Sequence, residues 1–314
     1  MKSGLLTSIA VLMLIVSAVS AQTYPVKPVR ILTSPPGGAS DRVSRLVAQA
    51  LSSRLGQQVI VDNRPGILAI EAAAKAAPDG YALLVTSNLL WILPMLQSVR
   101  YEASRSFVPV VLAARTPNVV VVHPSVPARS VQELVALARG RPGELNYSAG
   151  SPGSTPHLTA EMFKVRTGID LTHIPYKGAG PALTALIAGE VAVSFPGAGS
   201  AMPHLAARRL RALGVTSAGP SALLPGIPTV ASTVPGFETV ALYGVFAPAG
   251  TPAEIVERLN REAMREIAGS PLRERFVASG LEPVENTPQQ FAAMVSEDAS
   301  AMKKVIADLG LARQ

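Results

Sequence analysis

Residues 29–51 (VRILTSPPGGASDRVSRLVAQAL) constrain the fold more than any other stretch, because they read as strand, tight loop and helix in direct succession. Val29, Ile31 and Leu32 carry the β-branched and apolar weight of a buried strand. Pro35, Pro36, Gly37 and Gly38 stop that strand and turn the chain. Ser40 stands where a helix N-cap is expected, Asp41 adds negative charge to the first turn, and Val43, Leu46, Val47, Ala50 and Leu51 form one apolar face. Such a loop delivers backbone N–H groups to a helix start, which binds anions without a cationic side chain. An unliganded βα turn has the same pattern, so the ligand reading needs support from elsewhere in the chain.

The unit recurs. Gln58–Asp62 and Tyr81–Val85 read as strands, with an alanine-rich helix over Ile70–Ala77 between them and a polar tip at Thr86-Ser87-Asn88. Val108–His123 reads as one long strand kinked at Arg115-Thr116-Pro117, a crossing point between lobes. A helix over Val131–Arg139 with Ser130 as N-cap follows. Strand Glu144–Ser148 then enters a loop, Ala149–Thr155, with three hydroxyls and two glycines before a helix from Pro156 to Val165. Strand Leu171–Pro175 leads into Tyr176-Lys177-Gly178, helix Pro181–Ala188 and strand Val191–Phe195, which ends at Pro196-Gly197. A short helix over Ala201–Ala207 and strand Leu210–Thr216 follow. Val240–Ala247 crosses back to the first lobe, Thr251 caps a long helix with Pro252 in its first position, and a last helix starts at Pro288.

Strands alternating with helices predict an α/β fold with parallel sheets. We expect two lobes, one from residues 22–116 and 242–314 and the other, inserted, from 117–241. Loops at strand C-termini are where open α/β sheets bind ligands, so an interdomain cleft is the expected site.

Residues 1–21 read as a cleavable signal: Met1-Lys2, an apolar core from Leu5 to Val16, and small residues Val19-Ser20-Ala21 before Gln22. Export to the periplasm is the expectation. The absence of cysteine excludes disulfides, thiol nucleophiles and lipid anchoring through cysteine. Net charge is +7, but the Lys and Arg residues are scattered and aromatics are only 4%, so nucleic acid is not an expected partner. Of the four histidines, His157 alone follows a presumed cleft loop, and no HExxH or close sequence pair predicts a metal. No cofactor motif is present: Gly37-Gly38 lacks dinucleotide spacing, and Gly150-Ser151-Pro152-Gly153 is not a GxSxG elbow. A secreted hydrolase using Ser151 with His157 stays open at this point, as does a ligand-presenting subunit of a sensor.

The residues resemble a known family. Tyr24-Pro25, Lys27-Pro28-Val29-Arg30, Pro35-Pro36-Gly37-Gly38 with Asp41, Asn63-Arg64-Pro65-Gly66 and Ala76-Ala77-Pro78-Asp79-Gly80-Tyr81 carry the first half of the match. Asn146-Tyr147, Pro175-Tyr176-Lys177-Gly178, Leu210-Arg211-Ala212-Leu213, Ile227-Pro228-Thr229-Val230 and residues 247–252 (APAGTP) carry the second. In this order they are similar to the Bug family, the periplasmic receptors of tripartite tricarboxylate transporters. The resemblance implies a type II venus-flytrap fold with two crossing strands, no catalysis, no cofactor, a small organic acid as ligand and membrane permease subunits as partners. A monomer is the expectation. It also implies binding loops at Pro35–Asp41 and Ser148–Thr155.

The expected ligand-binding set is Pro36, Gly37, Gly38, Ser40, Asp41, Ser87, Asn88, Trp91, Ser148, Gly150, Ser151, Gly153, Ser154, Thr155, His157, Tyr176, Lys177, Gly178, Pro196 and Gly197. Three departures from the family pattern stand out. Ile67-Leu68-Ala69-Ile70 replaces a glycine-rich run, Leu89-Leu90-Trp91 replaces small residues, and Phe195-Pro196-Gly197 lacks the usual acidic residue. With Trp91 on the cleft wall, these departures predict a preference for aromatic or apolar-bodied acids over citrate-like ones.

Overall fold

A computed structural model describes residues 24–65, 67–150 and 153–312. The expected signal segment and Ser151 lie outside the described residues. The first sheet begins with β1 (Val29–Thr33), which pairs in parallel with β2 (Val59–Asn63) and β3 (Ala82–Ser87). The connections carry α1 (Ala39–Leu55) and α2 (Ile67–Ala74). Neighbouring residues in these strands point to opposite faces. Ile31, Leu83 and Val245 join α1 in one core, whereas Leu32, Leu84 and Phe246 join α2 in another. A sheet buried on both faces needs such continuous apolar strands.

α3 (Leu89–Leu96) and α4 (Ala103–Ser106) lead to β4 (Phe107–Pro117). The chain then enters a second sheet through β5 (Val119–Val122), α5 (Val131–Gly140), β6 (Asn146–Ala149), α6 (Thr155–Thr167) and β7 (Thr172–Pro175). It continues through α7 (Ala179–Ala188), β8 (Val193–Ser194), α8 (Ala198–Ala206) and β9 (Arg211–Val215). β10 (Val240–Pro248) returns to the first sheet, antiparallel to β3 and β4. α9 (Ala253–Ile267), α10 (Ser270–Ala278), β11 (Glu282–Pro283) and α11 (Pro288–Asp308) complete the described chain. The strand orders are β11-β4-β10-β3-β1-β2 and β7-β6-β8-β5-β9. The fold is two-lobed α/β, one sheet at the centre of each lobe.

The segment expected as one kinked strand is two strands in different sheets. Asn118 makes the break: its main-chain N–H donates to the Thr216 hydroxyl at 2.8 Å, its carbonyl accepts from the Thr216 N–H, and its side-chain amide donates to the Phe195 carbonyl. Two helix starts also differ from expectation. α1 is capped at Gly38, so Ser40 lies inside the helix. α9 is capped at Pro252, and the Thr251 hydroxyl instead donates to the Pro248 carbonyl at 2.7 Å. Ser130 caps α5 as expected, accepting from the Glu133 N–H at 3.1 Å. α11 carries a full capping box between Thr287 and Gln290.

The lobes also meet where α8 begins. A Cβ on Gly280, at φ 70°, would fall on the backbone of Gly199. Gly56, at φ 66°, ends α1 with no heavy atom within 4 Å of such a Cβ. Both substitutions to Ala carry the strain of a left-handed backbone, but only Gly280→Ala adds overpacking. Urea unfolding is expected to show a loss of about 1 kcal/mol for Gly56→Ala and at least about 2 kcal/mol more for Gly280→Ala. Equal losses would mean that the glycine contact contributes no packing constraint.

Candidate functional site

A cleft of about 650 Å³ lies between the lobes. Five helices begin on its walls: α1 at residues 38–40, α3 at Ser87 and Leu89, α6 at residues 154–156, α7 at residues 178–181, and α8 at Gly197, Gly199 and Ser200. The first turn of each helix leaves N–H groups without helical partners, and the helix dipoles add positive potential. Gly38, Gly178 and Gly197 are the N-caps of α1, α7 and α8, where no side chain shields those groups. The other walls come from Thr116, Asn118, Tyr243 and Gly280-Leu281.

Arg42 and Lys177 are the cationic lining residues, and no Asp or Glu stands among the described lining residues. Arg42 Nη1 donates to the Gly37 carbonyl at 3.0 Å. Three buried polar atoms of lining residues have no partner among the described residues: Arg42 Nε, Asn118 Oδ1 and Ser154 Oγ. Tyr243 faces Arg42 across this wall; burial pushes its hydroxyl up to about 12, against the opposing pull of Arg42. It is therefore a neutral phenol at physiological pH.

The expected residues Pro36, Gly37, Gly38, Ser40, Ser87, Ser154, Thr155, Lys177, Gly178 and Gly197 all line the cleft. The other described members of the expected set do not, and each has a structural task. Burial alone would raise the Asp41 carboxyl, but Asn63, Arg45 and the Gly37 N–H hold it below the usual carboxylate range. Those bonds are 2.8 Å from Asn63 Nδ2, 3.0 Å from Arg45 Nη2 and 3.1 Å from Gly37. Asp41 thus fixes the loop and is not among the residues that line the cleft. Asn88 is buried, and its Oδ1 accepts from the Thr155 hydroxyl at 3.4 Å, across the two lobes. Ser148 is buried and donates to the Ala182 carbonyl at 2.9 Å, tying β6 to α7.

Gly150 packs on the other binding loop: a Cβ there would lie 3.2 Å from Gly178 C. Gly153, at φ 78°, faces Leu96 of the opposite lobe. Tyr176 packs beside the apolar core under α7. Pro196 is buried at the crossing, its carbonyl accepting from the Val119 N–H at 2.9 Å.

Trp91 is also a correction. α3 starts at Leu89, and two residues along a helix turn the side chain by about 200°. Leu89 therefore meets the cleft and Trp91 points away from it. Trp91 is 4% exposed, packs edge-to-face on Phe246, and donates its indole N–H to Asp298 at 2.7 Å. Burial raises the Asp298 carboxyl, and Trp91 and Asn88 partly offset this. Trp91→Phe is expected to leave ligand affinity unchanged and to lose about 1 kcal/mol of stability, since Asp298 loses a donor. Altered affinity at unchanged stability would return Trp91 to the site.

His157 lies behind the α6 loop. Its Nδ1 accepts from the Gly153 N–H at 3.3 Å, and its ring lies 4.8 Å from that of His173, which stacks on Tyr147. Burial holds both imidazoles below their usual pKa; His173 adds to this at His157, and Lys164 adds a little at both, while Glu161 opposes. An unfolded histidine titrates near about 6.5. As pH falls through that value the unfolded chain takes up protons that the folded rings refuse, so stability falls until the folded pKa values are passed. His173→Phe keeps an aromatic ring against Tyr147 and removes one such group. The drop in Tm from about pH 7.5 to about pH 5 is therefore expected to be shallower in the variant. Parallel curves for the two proteins would refute this.

Sequence reasoning missed Arg42, Thr116, Asn118, Tyr243 and Gly280. Arg42 was legible in principle, since it lies one helical turn after Gly38 on the loop side of α1. A second hollow of about 290 Å³ lies between Pro124 and Arg211. There the guanidinium of Arg211 is already bonded to the carbonyls of Val126 and Ala128. Among the described residues, no cluster of three metal-ligating side chains exists and no helix is long and apolar enough to cross a membrane.

Rpa4515 of R. palustris, solved with adipate, superposes with a TM-score of 0.87 at 34% identity, covering 92% of this chain and 99% of that one. MatC (Rpa3494) from Rhodopseudomonas palustris, with bound malate, superposes with a TM-score of 0.80 at 28% identity, covering 90% and 100%. BugT of Bordetella pertussis is 35% identical over 304 residues, spanning 94% of this chain and 93% of BugT. The sequence pattern of the tripartite tricarboxylate transporter family receptor matches residues 43–311. A two-lobed chain with helix N-termini converging on its cleft, matched over most of its length by that pattern, belongs to the tripartite tricarboxylate transporter receptor family and is a solute receptor, not an enzyme.

Proposed function

We propose that this receptor works in the periplasm, reached through a signal cleaved near Gln22, and holds a small organic carboxylate in the interlobe cleft for delivery to membrane permease subunits. Lobe boundaries near Thr116-Pro117 and Ala241-Leu242 and a monomeric state belong to the same reading. The observation that carries it is electrostatic. Five helix N-termini, Arg42 and Lys177 face one cleft whose described lining residues include no carboxylate. Such a cleft favours an anion and repels a cation. Adipate and malate in the related Rpa4515 and MatC structures support a carboxylate of that size. Trp91 lies in the core and lends no support to an aromatic ligand, so aliphatic acids lead the reading.

Thermal-shift measurements over aliphatic mono-, di- and tricarboxylates, with diamines of matched length as controls, test it. A true ligand at a hundred times its Kd stabilises by about 2.7 kcal/mol. Carboxylates are expected to raise Tm and diamines to leave it unchanged. Gly38→Val has ordinary room at its Cβ, with the nearest atoms at 3.8 Å, so it is expected to fold. Its side chain crowds the exposed N–H groups of α1, and affinity is expected to fall about tenfold, or roughly 1.4 kcal/mol. No shift with any carboxylate at millimolar concentration would remove the carboxylate reading.

A further inference from the structure

We infer that Arg42 is the specificity-determining side chain of the cleft: it selects dicarboxylates by taking the second carboxylate of a ligand whose first lies at the helix N-termini. This rests on the carboxylate reading above.

The argument begins with where the arginines find partners. Arg45, one turn further along α1, pairs with Asp41 at 3.0 Å. Arg54, Arg64 and Arg115 pair with Glu266, Asp62 and Glu282. Arg42 pairs with no carboxylate among the described residues, although Asp41 is its neighbour in sequence. Asp41 is turned away and saturated by Asn63, Arg45 and the Gly37 N–H. The Arg42 guanidinium therefore keeps its full charge toward the cleft.

That guanidinium is also held in place. Nη1 is anchored on the Gly37 carbonyl, and Nε is walled in without a partner among the described residues. A half-buried guanidinium whose charge is left unpaired is a costly arrangement that an anion relieves. Its planar fork suits a carboxylate better than a point cation would. Tyr243 lines the same cleft as a neutral hydroxyl, able to donate a further hydrogen bond to a bound carboxylate. Helix N-termini alone already suffice for one carboxylate. Of the two lining cations, Lys177 is exposed and has no such anchor among the described residues, so the fixed position for a second carboxylate, and with it the discrimination between one and two charges, falls to Arg42.

Isothermal titration with α,ω-dicarboxylates of four to eight carbons and the monocarboxylates of matched length tests the inference. Wild type is expected to bind its best dicarboxylate at least about tenfold more tightly than the matched monocarboxylate, or roughly 1.4 kcal/mol. Arg42→Gln is expected to bring that ratio to near one by weakening the dicarboxylate alone. Arg42→Lys keeps the charge and is expected to retain part of the ratio; it also serves if the Gln variant fails to fold. Tyr243→Phe is expected to lower only the dicarboxylate affinity, by a few-fold. Equal weakening of both ligand classes in Arg42→Gln would make Arg42 a support for the Gly37 loop and overturn the inference. An unchanged ratio would do the same while leaving the carboxylate reading intact. If wild type binds no member of either series, both readings fall together.

Discussion

Thr216 holds the two crossing segments together, and the geometry of the cleft depends on it. Its hydroxyl accepts from the Asn118 N–H at 2.8 Å and donates to the Thr239 carbonyl at 2.6 Å, while the Thr239 N–H donates to the Thr216 carbonyl. One side chain thus bridges the strand leaving the first lobe and the strand returning to it. The Thr239 hydroxyl in turn receives that of Thr159 on α6. These groups are buried, so each bond broken without a replacement costs the desolvation of its partners. The chain concentrates its polar interior where two sheets must stay in register while their lobes remain separate bodies. Apolar packing is non-directional and would not fix that register.

The same economy governs the binding loops. Asp41 organises the loop from within, tying Gly37, Asn63 and Arg45, and does not line the cleft. Ser148 and Gly150 do the same for the second lobe, the one by bonding to Ala182, the other by letting the backbone at Gly178 approach closely. The polar groups that remain for the cleft are therefore chiefly helix-start N–H groups and the hydroxyls of small lining residues such as Ser87 and Thr155. A site built this way recognises charge and size through backbone geometry, which many sequences supply. Discrimination among acids then falls to the few long side chains present, Arg42, Tyr243, Lys177 and Leu89.

This division explains what the sequence disclosed. The strand–glycine loop–helix units were legible because their signals are local: apolar periods, turn residues, and prolines at helix starts. The loops at 36–38, 154–155 and 177–178 reach the cleft as expected. The identity of individual contacts was less legible, because it depends on helix phase. Reading Ser87–Trp91 as a strand tip put Trp91 in the cleft; a helix beginning at Leu89 rotates it into the core against Phe246 and Asp298. Asn118, Gly280 and Tyr243 come from distant segments that only the crossing topology brings together. Arg42 looked like one more surface cation until its place on the cleft wall could be seen. The short helices α3 and α10 carry weak periodicity and declare themselves through packing, not pattern.

The cleft charges sit on both lobes, and that has a consequence for how a receptor distinguishes loaded from empty. Arg42 and the N-termini of α1 and α3 belong to one lobe; Lys177 and the N-termini of α6, α7 and α8 belong to the other. Any motion that brings the lobes together over an empty cleft brings like potentials together and strips them of water. Both effects oppose closure. An anion between the walls reverses the sign of the interaction with each, so the same charges that resist empty closure favour closure over ligand. A ligand shifts such an equilibrium only by its differential affinity for the two states. Here the charge distribution supplies such a difference for any anion that meets both walls when the lobes approach and only one when they part.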